Sequence, residues 1–237
     1  MDILLREPIN LEETMYYDGS FFILIPFLFL VMYAQYKVSN KYTKYSKISL
    51  KKNITPTEVC RMISQRHDLD VTVKYIEGSL TDHYNPKDKT INLSGGTGQT
   101  SVASVAVAAH EMGHAIQDKE NYSYLRLRQA IVPAVMISSH IAPILIIMSF
   151  ILSLRPLLSI GILFFAATVV FQIITLPVEF DASKRALVEL TELGVVDQEE
   201  YSGAKEMLSA AAFTYIASTL YAIASLLRLI LISRNRD

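Results

Sequence analysis

Long apolar runs constrain this chain most, because about 17–25 mostly apolar residues are enough to cross a lipid bilayer as a helix. The runs cover residues 21–36, 131–154, 157–177 and 210–232. Charged residues make up only 19% of the 237 residues, below the roughly 25% of ordinary soluble domains. The sequence therefore predicts a mainly α-helical membrane protein with about four transmembrane helices. One of its partners is then the lipid bilayer itself.

Basic residues predict which ends of these helices face the cytoplasm, where Lys and Arg concentrate beside membrane spans. The segment before the first run, residues 1–20, is acidic. Lysines follow that run at six positions: Lys37, Lys41, Lys44, Lys47, Lys51 and Lys52. We therefore expect residues 1–20 to form an extracytoplasmic tail, residues 21–36 to form the first transmembrane helix and residues 37–130 to be cytoplasmic.

Residues 131–177 have the pattern of a helical hairpin across the membrane, with a Pro-containing turn between two apolar arms. Arg126 and Arg128 precede the first arm, and Lys184 and Arg185 follow the second. Both open ends are basic, so we expect both to be cytoplasmic.

The same distribution of basic residues predicts the placement of residues 178–209 and 210–232. Residues 178–209 should form a second cytoplasmic segment. Residues 210–232 either cross the membrane, which leaves Arg234 and Arg236 outside, or pack on the other helices without crossing fully. Their length favours crossing.

The polar segment between the first two spans should fold as α+β structure. Thr55, Pro56 and Glu58 have the spacing of a capping box with Pro in the first helical turn. Residues 70–77 (DVTVKYIE) and 89–94 (KTINLS) alternate apolar and polar residues, as strands do. A turn sequence lies between them, so we expect a small antiparallel β pair.

The motif with the clearest chemistry is HEMGH at residues 110–114. Two histidines four apart share one helix face, so His110 and His114 can bind one metal ion. Glu111 then lies beside the metal, where it can act as general base for a water that attacks a carbonyl. Zinc is the metal expected, and peptide hydrolysis is the reaction expected.

A helix with two ordinary hydrogen-bonded histidines is the simpler alternative. However, the chain has only five histidines, and two of them occur here. The helix around them is rich in Ala and Val, and Gly113 costs about 1 kcal/mol relative to Ala in a helix interior. That cost indicates that another element needs the space at Gly113.

A catalytic zinc site has three protein ligands and one open position. The only cysteine is Cys60, a small core residue by its surroundings, so the third ligand must be a carboxylate or a histidine. The hairpin returns the chain to the site at residues 178–183 (VEFDAS). Glu179 and Asp181 are two apart and point in different directions on a helix, so only one of them can readily be the ligand.

HEMGH followed, after a pair of spans, by EFDAS resembles the membrane gluzincins of the HtpX-like and CAAX-prenyl-protease-like group. Their second motif is Glu-aromatic-x-Ala-Asp, and this resemblance implies that Glu179 is the third ligand. Phe180 and Ala182 match the motif as well. Ser183 replaces the usual Asp, so the contact that this carboxylate makes should be weakened or arranged differently here.

Four stretches in order are more specific: LTDHYNP, SVAVAAHEMGHAIQ, LRLRQAIVP and TLPVEFDASKRAL. They resemble the bacterial YugP-like neutral zinc metallopeptidases over most of the chain. The resemblance implies a membrane zinc peptidase with a zincin-like cytoplasmic portion, and it supplies no substrate.

Three further features suggest roles around the site. His83 or Tyr84, placed in the loop between the two strands, could stabilise an oxyanion, although an ordinary turn histidine is the commoner case. Either predicted strand could pair with the substrate backbone as an edge strand. His140 lies too deep in its span for the zinc site, about 14 Å by helical rise, and is expected to bond a neighbouring helix.

Together these features predict a multi-pass cell-membrane zinc endopeptidase whose active site faces the cytoplasm and whose partners are protein or peptide substrates near the membrane. The alternative is a non-proteolytic zinc-binding membrane scaffold or sensor. Proteolysis within the bilayer is disfavoured because Asp118, Lys119 and Glu120 follow the HEMGH helix. The formal net charge is −1, and no basic tract points to nucleic acid.

Overall fold

A computed structural model describes residues 19–95 and 100–234 of the chain. Of the tail predicted at residues 1–20, all but the last two residues lie outside the described part. The prediction for that tail is therefore not addressed by the structure.

Helices dominate the described residues. A short 3-10 helix, Gly19–Ile23, leads directly into the first α-helix. The α-helices are α1 (Leu24–Ser46), α2 (Pro56–His67), α3 (Val102–Lys119), α4 (Ser123–Ile151), α5 (Arg155–Glu192) and α6 (Gln198–Arg234). Three strands lie between α2 and α3: β1 (Thr72–Ile76), β2 (His83–Asn85) and β3 (Thr90–Ser94).

Four of these helices are long and apolar enough to cross a membrane: α1 together with its 3-10 turn, α4, α5 and α6. This confirms the expected number of candidate spans, and it includes the last apolar run within α6. With 38 and 37 residues, α5 and α6 are about 55 Å long. A hydrocarbon core is only about 30 Å thick, so a large part of each extends beyond it.

The predicted hairpin is formed by α4 and α5, which pack along each other. Pro177 lies inside α5 and does not end it. The segment predicted at residues 178–209 is therefore the continuation of α5, a short turn and the start of α6. The motif around Glu179 is on a continuous helix, which fixes its direction relative to the hairpin.

The small sheet has the strand order β1-β3-β2. β1 pairs with β3 in parallel, from Thr72 opposite Thr90 to Ile76 opposite Ser94. The predicted antiparallel pairing of these two segments was therefore wrong. The reason is β2, which was predicted as loop: it forms a tight hairpin with β3 and takes the antiparallel position, so β1 occupies the other edge.

The central helix of the non-membrane part is α3, which packs against α2, α5, α6 and the sheet. It is buried over nearly its whole length, which explains why it is apolar on all sides. The predicted capping box at Thr55 and Glu58 is present at the start of α2. Cys60 of α2 is fully buried, and burial, together with the charge of Glu111, raises its pKa to about 12, as an inert core thiol requires.

Gly113 of α3 lies directly against the backbone of Ala182 of α5. A Cβ atom on Gly113 would lie 2.5 Å from the carbonyl oxygen of Ala182 and 3.1 Å from its Cα. Both are backbone atoms that cannot rotate away. The glycine predicted to make space thus allows α5 to lie directly against α3.

We expect Gly113→Ala to lower the melting temperature and the zinc content of the purified protein. Overpacking against a fixed backbone costs about 1–3 kcal/mol, which exceeds the roughly 1 kcal/mol gained in helix propensity. Circular dichroism on heating and elemental analysis measure the two effects.

The matched control is Gly161→Ala in the hairpin, where a new Cβ would also meet a neighbouring helix, at Ile146, but 18 residues or about 27 Å along α5 from Glu179. This variant should retain its zinc. If Gly113→Ala were as stable and as rich in zinc as the wild type, the close contact would not position the site.

Candidate metal centre

His110 and His114 lie one turn apart on α3, with ring centroids 4.8 Å apart. Both rings point their Nε2 atoms at Oε2 of Glu179 on α5, at 3.4 Å from His110 and 3.6 Å from His114. The three side chains are 15%, 10% and 4% exposed, respectively. The structure thus brings together the two histidines and the carboxylate that the sequence singled out.

The donor set fits one zinc ion. All three ligand atoms lie within 4.8 Å of one another, and tetrahedral zinc with bonds near 2.1 Å separates its ligands by about 3.4 Å. Glu179 Oε2 is buried and has no hydrogen-bond partner among the described residues. A buried carboxylate oxygen without a donor is costly, and a cation at this position removes that cost.

A hydrogen-bond network fixes the orientation of His114. The amide Nε2 of the fully buried Gln117 donates to the carbonyl oxygen of Val178, at 2.8 Å, and to Asp181 Oδ2, at 2.9 Å. Its Oε1 therefore faces His114 Nδ1, at 3.0 Å. An amide oxygen only accepts, so Nδ1 carries the proton and Nε2 is left with a lone pair for a metal.

His110 and Glu179 are oriented by different partners. Ser183 Oγ lies 3.2 Å from His110 Nδ1, so a hydroxyl stands where the resemblance expects a carboxylate. Arg128 Nη1 lies 3.3 Å from Glu179 Oε1, which leaves Oε2 directed at the two imidazoles. Each of the three metal-facing side chains thus has a second contact, on the atom that points away from the metal position, which fixes its orientation.

The surroundings of His114 also affect its protonation. Burial acts to lower the pKa of His114, but its interactions with Glu179, Glu111 and Gln117 outweigh burial, and the pKa is raised. Protons compete with a metal for Nε2, so acidification favours release of the metal.

Glu111 is 7% exposed and is held by the sheet. The backbone N–H of Tyr84 in β2 donates to Glu111 Oε2 at 2.7 Å. The Tyr84 hydroxyl donates to Asp118 Oδ2 at 2.6 Å, and its pKa is raised by burial and by Asp118. Tyr84 therefore positions the carboxylate through its backbone, while its hydroxyl remains protonated and engaged elsewhere.

Two cavities flank the metal-facing group. One of 280 Å³ extends towards Arg128 and Gln129 of α4, and one of 220 Å³ extends towards Gln35 and Val38 of α1. Both are lined by the same central residues: Asp82, His110, Glu111, Glu179 and Tyr215. The centre therefore lies in a cleft that continues on both sides.

Comparison with known proteins agrees with this geometry. A family described as "Putative neutral zinc metallopeptidase" matches residues 20–234. The chain belongs to this family. It is also 40% identical over 216 residues to "Putative membrane protease YugP" of Bacillus subtilis (strain 168), a match that covers 90% of this chain and 96% of that protein. No solved structure matches.

The structure also shows the contacts of three further residues that the sequence singled out. Asp181 accepts hydrogen bonds from Gln117 and Arg185, so it orients His114 indirectly, through Gln117. His140 bonds the carbonyl oxygen of Met136 in its own helix, so the expected bond to a neighbouring helix was wrong. His83 is in β2 and lines the 280 Å³ cavity, and its Nδ1 donates to the Thr81 carbonyl oxygen, as the commoner case expected from the sequence, an ordinary hydrogen-bonded histidine, would.

The structure also limits which strand could pair with the backbone of a substrate. β3 is the central strand and is buried throughout, so the expectation that it could serve as an edge was wrong. β2 is the edge strand that contacts the site.

Sequence reasoning missed three residues of the site. Gln117 had a signal, because it lies three residues after His114 and so shares its helix face. Arg128 was interpreted only as an orientation signal. Tyr215 had only the weak signal of a hydroxyl in an apolar run, and its hydroxyl interacts with Glu179 because α6 crosses behind α3 and α5.

We expect Gln117→Met to weaken zinc binding by about 10–100-fold, the usual effect of removing a partner behind a histidine ligand. Methionine fills similar space but leaves His114 Nδ1 without an acceptor. Competition with a chelator of known zinc affinity measures the change. Gln65→Met, on the exposed face of α2, should bind zinc as the wild type does, and equal affinity in the two variants would contradict the role of Gln117.

Proposed function

We propose that this chain is a membrane zinc endopeptidase in which His110, His114 and Glu179 hold the metal and Glu111 is the general base. The observation that carries the proposal is the unpartnered Glu179 Oε2 facing two imidazole Nε2 atoms, next to a carboxylate that the sheet holds in place. The family match and the membrane-protease relative support it.

Each residue then has a defined task. A bound zinc ion supplies Lewis acidity, which polarises a carbonyl and lowers the pKa of water. Glu111 accepts the proton of the attacking water and delivers it to the leaving amine. Tyr215, which lines both cavities, is placed to donate a hydrogen bond to the carbonyl oxygen as charge develops there.

The arrangement favours catalysis over a structural or sensing role. Among the described residues, the metal-ligating group contains three members and no fourth His, Cys, Asp or Glu, whereas structural zinc sites are closed by four ligands. The cleft also continues on both sides of the centre. A polypeptide can therefore extend in both directions from the scissile bond, as an endopeptidase requires.

The proposal places the site on the cytoplasmic side and its substrates near the membrane. The start of α4 and the later part of α5 lie at the site, because Arg128 contacts Glu179. The lysine-rich end of α1 lies near the start of α3, because Ile48, two residues after α1, accepts a hydrogen bond from the Val102 backbone N–H. Basic residues at these three ends favour the cytoplasm. Membrane proteins, or segments close to the bilayer, are the substrates nearest to such a site.

We expect Glu111→Gln to retain its zinc and to cleave a denatured protein substrate such as casein about 10²–10⁴-fold more slowly than the wild type, the usual contribution of a general base. The amide oxygen of Gln can still accept the bond from Tyr84. Proteolysis of the fluorescently labelled substrate gives the rates.

Glu77→Gln, an exposed position, is the matched control and should cleave as the wild type does. Cleavage by Glu111→Gln at the rate of the wild type would disprove the proposal.

The orientation can be tested with the single cysteine of the chain. In a Cys60→Ser background, Lys47→Cys should react with a membrane-impermeant maleimide only after the cells are permeabilised. Leu154→Cys, in the turn between α4 and α5, should react in intact cells. The opposite labelling pattern would place the site outside the cytoplasm.

A further inference from the structure

A groove of 790 Å³ lies next to the catalytic cleft and is not used by the chemistry described above. Its walls are the later part of α5, from Phe180 to Glu192, and the first half of α6, from Gln198 to Ile216. Lys37 of α1 stands at one end. We call it the lysine groove.

The surface of the lysine groove is largely apolar. Leu187 and Val188 of α5 face Leu208 and Phe213 of α6 across it. Val188 is 42% exposed and Phe180 is 44% exposed. Most of the residues that line the groove, Val188 and Phe180 among them, lie outside the apolar runs, and apolar side chains exposed together there indicate a binding surface.

The charges on the lysine groove are unbalanced. Lys37, Lys184 and Lys205 line it, and none of them forms an ion pair with a described carboxylate; Lys37 stacks on the ring of Phe213. The two acidic residues of the groove have partners: Glu192 pairs with Arg66 and Asp197 with Lys51. The groove therefore offers three cations to an occupant and no available carboxylate.

The groove joins the catalytic cleft. Ser183, Leu208 and Ala212 line both the groove and the 220 Å³ cavity beside the metal-facing group. Ser183 is also the residue that contacts His110. From Gln198 to Ala212, α6 covers about 21 Å, which an extended peptide spans with roughly six residues.

We propose that the lysine groove binds a segment of the substrate polypeptide that is apolar and acidic and that flanks the scissile bond. The inference rests on the proposed peptidase function and adds a substrate class to it. Carboxylates of the segment pair with Lys184 and Lys205, and its apolar side chains cover the floor. The continuity with the cleft directs the chain towards Glu111.

An anionic phospholipid is the competing occupant, and the geometry disfavours it. On α5 the lining residues, from Phe180 to Glu192, follow the apolar run 157–177, and on α6 only Ala212, Phe213 and Ile216 belong to the apolar run 210–232. An acyl chain would reach most of the groove only by leaving the bilayer and passing beside Lys184, Thr191 and Lys205, whereas a polypeptide reaches it from water.

The test is peptide binding by the full chain in nanodiscs, with Glu111→Gln to prevent cleavage. The probe is a fluorescein-labelled 14-residue peptide of alternating Leu and Glu, compared with the same peptide carrying Lys in place of Glu. Fluorescence anisotropy should show at least tenfold tighter binding of the Glu peptide. Adding Lys184→Glu and Lys205→Glu together should reverse this preference.

The added Lys47→Glu change is the matched control, since this exposed lysine lines none of the cavities described above, and it should keep the preference for the Glu peptide. Zinc content and circular dichroism check that the double change leaves the fold intact. Equal binding of the two peptides, or a preference unaffected by the double change, would overturn the proposal.

Displacement of the Glu peptide by short-chain phosphatidylglycerol, with no effect of neutral phosphatidylcholine, would assign the groove to lipid and would also overturn it. The binding assay requires no cleavage. The binding assay therefore decides the groove proposal alone. The peptidase proposal is decided separately, by cleavage with the wild type.

Discussion

The contact between Gly113 and Ala182 is the constraint on which the metal centre depends. It sets the distance between α3, which carries both histidines, and α5, which carries the carboxylate. A side chain at position 113 would push α5 away from α3 and so move Glu179 away from His110 and His114. Since α5 is one continuous helix through Pro177, the same contact also ties the membrane hairpin to the site.

Side chains that contact His110, His114 and Glu179 then determine which atom of each of these three residues faces the metal position. Arg185 bonds Asp181, Asp181 bonds Gln117, and Gln117 bonds His114. The buried amide of Gln117 has both of its donors and its acceptor engaged, so it cannot turn over without losing bonds. This network gives Asp181, which lies outside the metal-facing group, a structural role close to the centre.

The sequence predicted the parts of the molecule that rest on local patterns. The apolar runs, the capping box at Thr55 and the i, i+4 spacing of the two histidines each depend on periodicity within one element, and the structure contains all of them. The residues alone left Glu179 and Asp181 open as the third ligand. The resemblance favoured Glu179, and the structure places that residue opposite the histidines.

What the sequence could not supply depends on contacts between distant elements. β2 has three residues, too few to show an alternating pattern, so the parallel pairing of β1 and β3 was not foreseen. The imidazole of His140 was expected to bond a neighbouring helix, but it bonds the Met136 carbonyl oxygen of its own helix. Tyr215 reaches the site only because α6 packs against both α3 and α5, which no local pattern encodes.

The ligand set is tested by the zinc content of the detergent-purified wild type and of its Glu179→Ala and Asp181→Ala variants. We expect about one zinc per chain in the wild type, as a mononuclear site requires. Glu179→Ala should lose the metal, and Asp181→Ala should retain it with weakened affinity. A wild type without zinc, or a Glu179→Ala variant that binds it as tightly as the wild type, would contradict the ligand set.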